Sequence, residues 1–420
     1  MSCWNVRTLV DSAGGPERRT AIVAKELGRY NIDIAALSET HLLDDGQVKE
    51  IGGGYTIFWK GKPSGEKREE GVGFAIKSDL VSKLNELPRG ITERLMTLRL
   101  HLSNGRFATL ISAYAPTMDS TEEKKSAFYE SLKEVIANIP ISDKVVLLGD
   151  FNARVGTDWE TWNCLGHHGI GKVNENGLRL LQLCTELNLF ISSTQFKHKG
   201  DHVATWMHPR SKQWHLIDYM IVRSRDKSDV HKVSPLRGAD CWSDHALVRG
   251  KFQFSIHPKC RQSNTSLPRQ LDVSKLKNHD IKTTLQQNIS SIEHTSSWDD
   301  IRDQLLDISK ETLGFKKAQH RDWFDESDPE ISQLLSQKNA LRQALLQTNL
   351  GPEKQKEIRS QLKRTKAETQ SRIRQMKDQW WSKLAADIQS AADMNNSKEL
   401  YSLTKQAYGP KVAKNRPSQI

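Results

Sequence analysis

The pattern of short apolar runs in the first 255 residues constrains the fold more than any other feature of this 420-residue chain. Runs rich in β-branched and aromatic residues recur there, and only three intervening stretches have apolar residues at helical spacing. Many strands with few helices between them favour two packed sheets with helices outside, an α/β sandwich, over a doubly wound parallel sheet. The predicted strands are Asp33–Ser38, Tyr55–Trp59, Val72–Ile76, Arg94–Leu102, Phe107–Tyr114, Lys144–Leu148, Ala204–Met207, His215–Val222 and Ala246–Phe254, and the predicted helices are Glu17–Tyr30, Thr121–Asn138 and Asn176–Leu187.

A change of composition after residue 254 predicts the domain organisation. The stretch 255–275 contains Pro, Ser, Gln and Asn without an apolar period, which is typical of a linker. Residues 1–254 are therefore predicted to form one domain, and residues 276–420 a second, mostly α-helical region. The pair Gly351-Pro352 separates two long helices of this region, which we expect to form an antiparallel hairpin. The predicted helices are Leu276–Ile292, Trp298–Leu313, Pro329–Gln347 and Glu353–Ser390.

The basic charge of the chain lies mainly in this helical region. The whole chain has 62 Lys and Arg against 51 Asp and Glu, a net charge of +11. Residues 256–420 hold 28 basic against 20 acidic residues, and Lys354–Lys383 holds ten against three. Such a block favours a polyanionic ligand, so we expect a nucleic-acid or protein partner for the helical region. The alternative interpretation is a solvated helix face with no binding role.

The sequence also excludes several classes of protein. No apolar window approaches 18 residues and no apolar stretch opens the chain, so neither a membrane span nor a secretory signal is expected. The five cysteines are widely spread and include no CxxC pair, which argues against a disulfide framework and a zinc site. An intracellular, reducing compartment, nuclear or cytoplasmic, fits best. The absence of GxxxxGK[ST] and GxSxG motifs disfavours a P-loop nucleotide hydrolase and a serine hydrolase.

Polar residues recur at the carboxyl ends of the predicted strands. Taken singly, most have a simple structural explanation, because an Asp after a strand is usually a turn or cap residue and His245 would serve as a hydrogen-bonded core residue. Asp218 is the exception, since a carboxylate inside an apolar run is costly to bury without a partner. Strand ends on one side of a sheet converge, so we expect the set to share one cleft. Its members are Asn5, Glu39, Tyr114, Asp150, Asn152, Asp218, Asp244 and His245.

These residue types suit a divalent-cation phosphodiesterase. Mg²⁺ prefers oxygen ligands and keeps several waters, so one or two carboxylates suffice to bind it. The ion would neutralise a phosphoryl oxygen and stabilise the leaving oxygen. A carboxylate held by an Asn would orient or deprotonate the attacking water, and a His paired with an Asp would donate to a phosphate oxygen. We therefore expect Mg²⁺, with Mn²⁺ as a substitute, and no small-molecule cofactor.

The motifs that contain these residues resemble a known family. WNV, SET, AYAP, GDFN, LIDY and SDH occur in this order within residues 1–254, and the set is similar to the endonuclease/exonuclease/phosphatase superfamily, whose fold is DNase I-like. The segments WNVRTL, LSETH, GDFNARVG, NENGLRLLQLC and LIDYMIV resemble endonuclease domains of RTE-type LINE retrotransposons, a group that includes proteins called craniofacial development protein 2-like. In those elements a reverse transcriptase follows, and LYSLTKQAYGPK is similar to the connector before it. No [YF]xDD motif occurs, so we expect no polymerase in these residues.

The resemblance implies roles for the residues that would bind the metal and the water. Glu39 would be the principal Mg²⁺ ligand, with Asn5 beside it and Asp244 contributing to the same ion. Asp150 would orient or deprotonate the attacking water, and Asn152 would hold Asp150 in place.

The resemblance also implies contacts to the DNA. His245, paired with Asp218, would touch the scissile phosphate, and Tyr114 would lie against that phosphate or assist the leaving group. Trp206 is expected to pack in the core beneath the DNA-binding residues. The residues predicted to bind DNA or phosphate are Asn176, Thr205, Ser243 and Arg7.

Two departures from the family pattern bear on function. Abasic-site endonucleases usually carry an Asp two residues after the first Asn, whereas Arg7 stands here, which removes one metal contact and disfavours an abasic-repair enzyme. The chain begins only four residues before Asn5, so its first strand is expected to be short. A short strand has few ladder hydrogen bonds, and we expect it to hold Asn5 weakly.

Three functions therefore compete. The first is an Mg²⁺-dependent DNA endonuclease that nicks one strand and leaves a 3′-hydroxyl, acting on DNA in the nucleus. The second is a phosphatase or lipid phosphodiesterase on the same fold, which the basic helical region and the absence of a membrane-binding segment disfavour. The third is a catalytically weak, domesticated protein that binds nucleic acid or chromatin, which the short first strand favours and the intact set Glu39, Asp150, Asp218 and His245 disfavours.

Overall fold

The structure, a computed structural model, describes residues 1–10, 19–103, 105–198, 200–208, 211–254, 256, 271, 275–276, 278–290, 298–314, 328–346, 351–394 and 396–407. The chain divides into two compact units, one of residues 1–259 with 321–420 and one of residues 260–320. Most of the predicted linker 255–275 lies outside the described residues, and the predicted boundaries at 254 and 276 stay predictions.

Fifteen strands within the described residues form two large sheets and one small hairpin. They are β1 (Ser2–Asn5), β2 (Ile34–Ser38), β3 (Asp45–Glu50), β4 (Tyr55–Lys60), β5 (Val72–Lys77), β6 (Arg89–Thr92), β7 (Leu95–His101), β8 (Phe107–Tyr114), β9 (Lys144–Asp150), β10 (Leu189–Ile191), β11 (Trp206–Met207), β12 (Trp214–His215), β13 (Asp218–Arg223), β14 (Val230–Leu236) and β15 (Leu247–Phe252).

Both large sheets are mixed. The seven-stranded sheet has the spatial order β14-β15-β1-β2-β5-β4-β3, and the six-stranded sheet has the order β10-β13-β9-β8-β7-β6. β1 runs parallel to β2 and β8 parallel to β9, whereas the other neighbours pair antiparallel. The hairpin consists of β11 and β12. Two packed sheets with helices outside confirm the predicted α/β sandwich.

Nine α-helices occur in the part of the chain that the structure describes. None of them is long and apolar enough to cross a membrane. They are α1 (Arg19–Arg29), α2 (Ser78–Val81), α3 (Glu122–Ala137), α4 (Glu175–Glu186), α5 (His279–Ser290), α6 (Trp298–Leu313), α7 (Pro329–Leu345), α8 (Pro352–Asp393) and α9 (Ser397–Ala407).

Three buried clusters form the core of the larger unit. The first lies between the two sheets and includes Phe74 from one sheet and Leu148 from the other. Because side chains alternate along a strand, the opposite faces of the sheets bury the other two clusters. One of these clusters joins the six-stranded sheet to α3 and α4, and the other joins the seven-stranded sheet to α1.

The helices α7 and α8 contribute to the cluster on the seven-stranded sheet. Ile331 of α7 and Ile373 of α8 are fully buried in it, and each such side chain contributes about 1.5–3 kcal/mol. Asp328 caps the first turn of α7 with its carboxylate, which Arg372 of α8 contacts at 2.7 Å. The two helices therefore pack together as the predicted antiparallel pair.

The main differences from the predicted elements have local causes. The predicted strand His215–Val222 is split into β12 and β13, and the strands β3, β6, β10 and β14 and the helix α9 were not predicted. β3 is an edge strand with one large apolar residue, Val48, so it lacks a strand-like apolar pattern. β14 contains Pro235, which is tolerated because this strand is the other edge of the sheet.

Candidate active site

Strand pairing brings the predicted site residues together. In the six-stranded sheet, Tyr114 at the end of β8 is level with Asp150 at the end of parallel β9, and β13 places Asp218 level with Asp150 on the other side. In the seven-stranded sheet, Asn5 ends β1 at the same edge at which Glu39 follows the parallel strand β2. Asn5, Glu39, Tyr114 and Asp150 lie at the carboxyl ends of their strands as the sequence predicted, whereas Asp218 begins the antiparallel strand β13 and His245 precedes β15. The polar residues face one another across the two sheets.

Asn5 connects the two sheets through its side chain. Its Nδ2 donates to Glu39 Oε1 and to Asp150 Oδ2, both at 2.9 Å. Its Oδ1 accepts from the backbone N of Arg7 at 2.9 Å, and its carbonyl oxygen accepts from Ser243 Oγ at 2.6 Å. The residue is 1% exposed, so Asn5 is firmly held although β1 has only four residues, contrary to the expectation from its length.

Glu39 adopts an uncommon backbone conformation. Its φ of 54° lies in the left-handed region, which costs a non-glycine residue about 1 kcal/mol or more. Its Oε1 accepts from the hydroxyl of Tyr114 at 2.8 Å as well as from Asn5. Among the described residues both hydrogen bonds go to Oε1, which leaves Oε2 as the oxygen available to a ligand. The strained turn therefore presents a carboxylate whose orientation is fixed by its neighbours.

Asp150 is buried at the end of β9. Its Oδ1 accepts from the backbone N of Asn152, a residue with a left-handed φ of 47°, at 2.8 Å. Gly149 before it has φ 154°, and a Cβ there would lie 1.9 Å from the carbonyl oxygen of Ala113, so only glycine fits. Burial, together with the charge of Asp218, raises the pKa of Asp150 to about 7. A carboxyl group with a pKa near neutrality is suited to exchange a proton with water.

His245 and Asp218 form a buried pair. Nδ1 of His245 lies 2.9 Å from Asp218 Oδ2, and its Nε2 lies 3.9 Å from Asp150 Oδ2. Burial lowers the pKa of His245, but the carboxylates of Asp218 and Asp150 outweigh burial and raise it to about 10. Thr205 supports the pair, because its Oγ1 accepts from the backbone N of Asp218 at 3.3 Å. The raised pKa favours the protonated form of the imidazole at neutral pH.

Trp206 lies beside the site and not beneath it. Its backbone bridges to His245, and its ring centroid is 6.1 Å from that of the imidazole. Its indole Nε1 donates to Asp244 Oδ2 at 2.9 Å. The side chain is half-buried, so the predicted core role for Trp206 is wrong and the residue instead orients Asp244.

Arg94 supports Tyr114 and carries no sequence signal that would have identified it. Its guanidinium lies 5.0 Å from the centroid of the Tyr114 ring, and its Nη1 donates to the Tyr114 carbonyl oxygen at 3.1 Å. Its Nη2 donates to Glu70 at 2.6 Å, and Lys62 contacts the same carboxylate at 3.4 Å. Burial and the charge of Glu39 raise the pKa of Tyr114 well above its ordinary value, so the phenol remains a donor.

The residues predicted to bind DNA have different surroundings. Asn176 is buried and donates to two backbone carbonyls of neighbouring loops, while its Oδ1 has no partner among the described residues. Thr205 and Ser243 are buried, and both hydroxyls accept from backbone amides of site residues. Arg7 is exposed and has a left-handed φ of 63°. Their contacts to DNA stay predictions.

Two groups of side chains are candidate ligands for a metal ion. Ligand atoms of Asp150, Asp218 and His245 lie within 4.8 Å of one another. A metal needs a neutral imidazole nitrogen, but Asp218 occupies Nδ1 of this histidine and raises its pKa. Glu39 offers a carboxylate oxygen beside the amide of Asn5, which is the oxygen donor type that Mg²⁺ prefers. The residues therefore fit Mg²⁺ at Glu39 better than at the histidine.

Several solved structures are similar to part of this chain at low identity. The APE2 catalytic domain of Xenopus laevis matches with a TM-score of 0.46 and 16% identity, over 62% of this chain and 93% of that one. The endonuclease domain of TRAS1, a telomere-specific non-LTR retrotransposon, matches with a TM-score of 0.42 and 17% identity, over 60% and 97%. A 3′ phosphatase from Neisseria bound to a product DNA hairpin matches with a TM-score of 0.42 and 22% identity, over 60% and 98%.

Curated relatives are similar in sequence over most of the chain. Craniofacial development protein 2 of Bos taurus is 30% identical over 289 residues, which are 68% of this chain and 46% of that protein. The protein of the same name from Tragulus javanicus is 30% identical over 253 residues, 60% of this chain and 42% of that one. The chain thus spans less than half the length of these relatives. A model of the Endonuclease/Exonuclease/phosphatase family matches residues 3–245, more than half of the chain, and the chain belongs to this family.

Proposed function

We propose that the chain is an Mg²⁺-dependent DNA endonuclease of the LINE retrotransposon type, which hydrolyses one phosphodiester bond and leaves a 3′-hydroxyl. The observation that carries this proposal is the bridge that Asn5 makes between Glu39 and Asp150, with the His245–Asp218 pair beside it. The arrangement combines a carboxylate that can bind a metal ion, a carboxyl group that can accept a proton from water, and a cationic side chain that can contact a phosphate. These three groups together are suited to metal-assisted hydrolysis of a phosphodiester.

Asp150 is the residue that activates the attacking water. Its pKa of about 7 allows it to accept a proton at neutral pH. The backbone N of Asn152 fixes Oδ1, and Asn5 fixes Oδ2, so the carboxylate is held in one orientation. A fixed base avoids the entropy loss of orienting a mobile side chain during the reaction.

His245 and Tyr114 stabilise charge on the phosphate. The imidazolium is held through Nδ1 by Asp218, so its Nε2 is the group that donates to a non-bridging phosphate oxygen. Tyr114 keeps its proton and lies beside Glu39, where its hydroxyl can donate to the phosphate or to the leaving oxygen. Removing one such preorganised donor typically costs about 100- to 1000-fold in rate.

Glu39 would hold Mg²⁺ through Oε2, with Asn5 and Asp244 completing the protein ligands as the resemblance implies. When bound, the ion supplies Lewis-acid stabilisation of the phosphoryl and leaving oxygens, and Mn²⁺ would substitute for it. The hydrogen bond from Trp206 to Asp244 restricts the orientation of this second carboxylate. The likeness of the WNVRTL, LSETH and LIDYMIV segments to LINE endonucleases supports DNA as the substrate and the nucleus as its location.

Nicking of supercoiled plasmid tests the proposal. The wild type should convert supercoiled plasmid to open circle with Mg²⁺, and EDTA should stop the conversion. Glu39→Ala and Asp150→Ala should each lower the nicking rate by a factor of about 1000 or more. Glu86→Ala, which removes an exposed carboxylate elsewhere, should leave the rate unchanged. A folded wild type that leaves plasmid intact would refute the proposal. Release of phosphate from inositol phosphates by that protein would then favour a phosphatase, and binding without cleavage would favour a nucleic-acid-binding protein.

A further inference from the structure

Side chains of the helices α7 and α8 contact a buried aspartate in the loop that carries Ser243–His245. This loop, residues 237–246, joins β14 to β15 and is called the SDH loop below. Asp240 at its centre is 1% exposed. Arg342 Nη1 lies 3.0 Å from its Oδ1, while Lys366 Nζ lies 3.2 Å and Lys338 Nζ 3.6 Å from its Oδ2. Three cations from the two helices thus converge on one carboxylate.

The same helices bind the backbone of the SDH loop. Lys338 Nζ donates to the Asp240 carbonyl oxygen at 3.2 Å, and Arg342 Nε donates to the carbonyl oxygen of Arg237. Lys338 is fully buried, and its ammonium lies 5.6 Å from the centroid of a Trp242 ring. A buried ammonium is costly without partners, so Lys338 and the SDH loop depend on each other for their positions.

α1 contacts both the SDH loop and α7. Glu26 Oε2 accepts from the backbone N of Asp240 at 3.3 Å, and its Oε1 accepts from Asn339 of α7 at 3.1 Å. Arg29 lies 3.0 Å from the same carboxylate. The SDH loop is therefore held by both α1, which belongs to the sandwich, and α7, which follows α1 by about 300 residues in sequence.

Hydrogen bonds continue from Asp240 to the candidate active site. Its Oδ1 accepts from the backbone N of Trp242 at 3.1 Å, and Trp242 has a left-handed φ of 62°. The next residue, Ser243, donates to the Asn5 carbonyl oxygen at 2.6 Å and accepts from the backbone N of His245 at 3.0 Å. The path from α7 to the site thus consists of direct contacts, with the strained residue Trp242 in its middle.

We propose that Lys338, Arg342 and Lys366 are positioning residues for the active site, because they fix Asp240 and with it the SDH loop that presents His245. All three lie outside residues 3–245, which the family model matches. The inference rests on the proposed nuclease function and deepens it. The helical region is then a working part of the nuclease, in addition to any partner that its exposed basic face binds.

Steady-state nicking by full-length variants tests the activity part of this inference. Lys338→Met keeps most of the buried stem and removes the charge, and we expect kcat to fall about 10- to 100-fold while KM for plasmid stays within about twofold. Lys83→Met removes an exposed charge from the sandwich, outside the basic block Lys354–Lys383, and should change neither value. Adding Asp240→Asn to Lys338→Met should cost no more than the worse single change, because both act through the same contact. If Lys338→Met does not fold, Lys366→Met tests the same contact from a partly exposed position.

Hydrogen exchange measured by mass spectrometry tests the positioning part without any nicking. Lys338→Met should speed exchange of residues 237–246 at least about tenfold and leave exchange in β8 and β9 unchanged. Unchanged exchange in the SDH loop, or unchanged kcat in a folded variant of an active protein, would overturn the inference. Exchange that rises throughout the unit would also overturn it, since it indicates a purely structural role. A wild type that does not nick refutes the proposed function, and the exchange experiment then decides the positioning of the loop alone.

Discussion

Replacing Asp240 should lower the unfolding free energy at neutral pH and should weaken the decrease of this free energy as pH falls. The carboxylate is buried among Lys338, Arg342 and Lys366, which lower its pKa from 3.8 to about 2 although burial alone would raise it. Asp240→Asn keeps the shape of the side chain and removes the charge. Three cations then face a neutral amide, and breaking a buried ion pair in this way costs about 3–5 kcal/mol. We expect this loss of unfolding free energy at pH 7.

The pKa shift sets how this difference changes with pH. The folded pKa lies below the unfolded one, so the stabilisation is fully present above the unfolded pKa and is lost as pH falls through the folded pKa. A shift from 3.8 to about 2 corresponds to about 2 kcal/mol of stabilisation at neutral pH. About 1 kcal/mol of it should disappear between pH 7 and pH 3. The difference in unfolding free energy between wild type and Asp240→Asn should therefore decrease by that amount.

Urea unfolding followed by circular dichroism at pH 7, 5, 4 and 3 measures this difference in unfolding free energy, called the gap here. Asp378→Asn, which neutralises an exposed carboxylate on α8, is the matched control and should change the unfolding free energy by less than about 0.5 kcal/mol at every pH. A gap that is equal at pH 7 and pH 3 would show that the cations do not hold Asp240 as an anion. A gap below about 1 kcal/mol at pH 7 would show that the contacts around Asp240 contribute little to folding.

Three further changes test other contacts. Arg94→Met should lower single-turnover nicking about tenfold, because Tyr114 loses its cation partner and a hydrogen bond to its carbonyl oxygen; an unchanged rate would contradict this role. Trp206→Phe keeps an aromatic ring but loses the indole N–H that donates to Asp244, so half-maximal nicking should require several-fold more Mg²⁺, and an unchanged Mg²⁺ titration would count against this role. Ile373→Ala should reduce the unfolding free energy in urea by about 2–5 kcal/mol, and a loss below about 0.5 kcal/mol would show that α8 does not pack on the sandwich.

The sandwich and the position of its site were predictable because both depend on local pattern. Apolar runs identified the central strands, and their polar ends identified Asn5, Glu39, Asp150, Asp218 and His245, which the structure brings together. Strand ends meet by topology, so no contact between distant side chains had to be known. The polar edge strand β3 and the short strand β10 lacked that pattern and were missed.

The supporting contacts were not predictable in the same way. Arg94 and Asp240 act through partners that lie far away in sequence, and neither belongs to a motif. One signal was present for Lys338, which occupies the i+7 position of an apolar helix face that begins at Ile331 and continues at Leu335. A lysine at such a position needs a buried acidic partner, but helical spacing does not indicate which residue that partner is.

The buried charges around Asp240 connect α7 and α8 to the sandwich. The structure groups residues 321–420 with residues 1–259 in one compact unit, and the domain boundary predicted after residue 254 stays a prediction. A protein cut at 254 would keep Asp240 of the SDH loop and Glu26 of α1 but lose Lys338, Arg342 and Lys366, which would leave these two buried carboxylates with fewer cations. Water would enter to solvate them, and the SDH loop would lose the contacts that fix it. The activity of such a fragment therefore cannot stand for the activity of the whole chain.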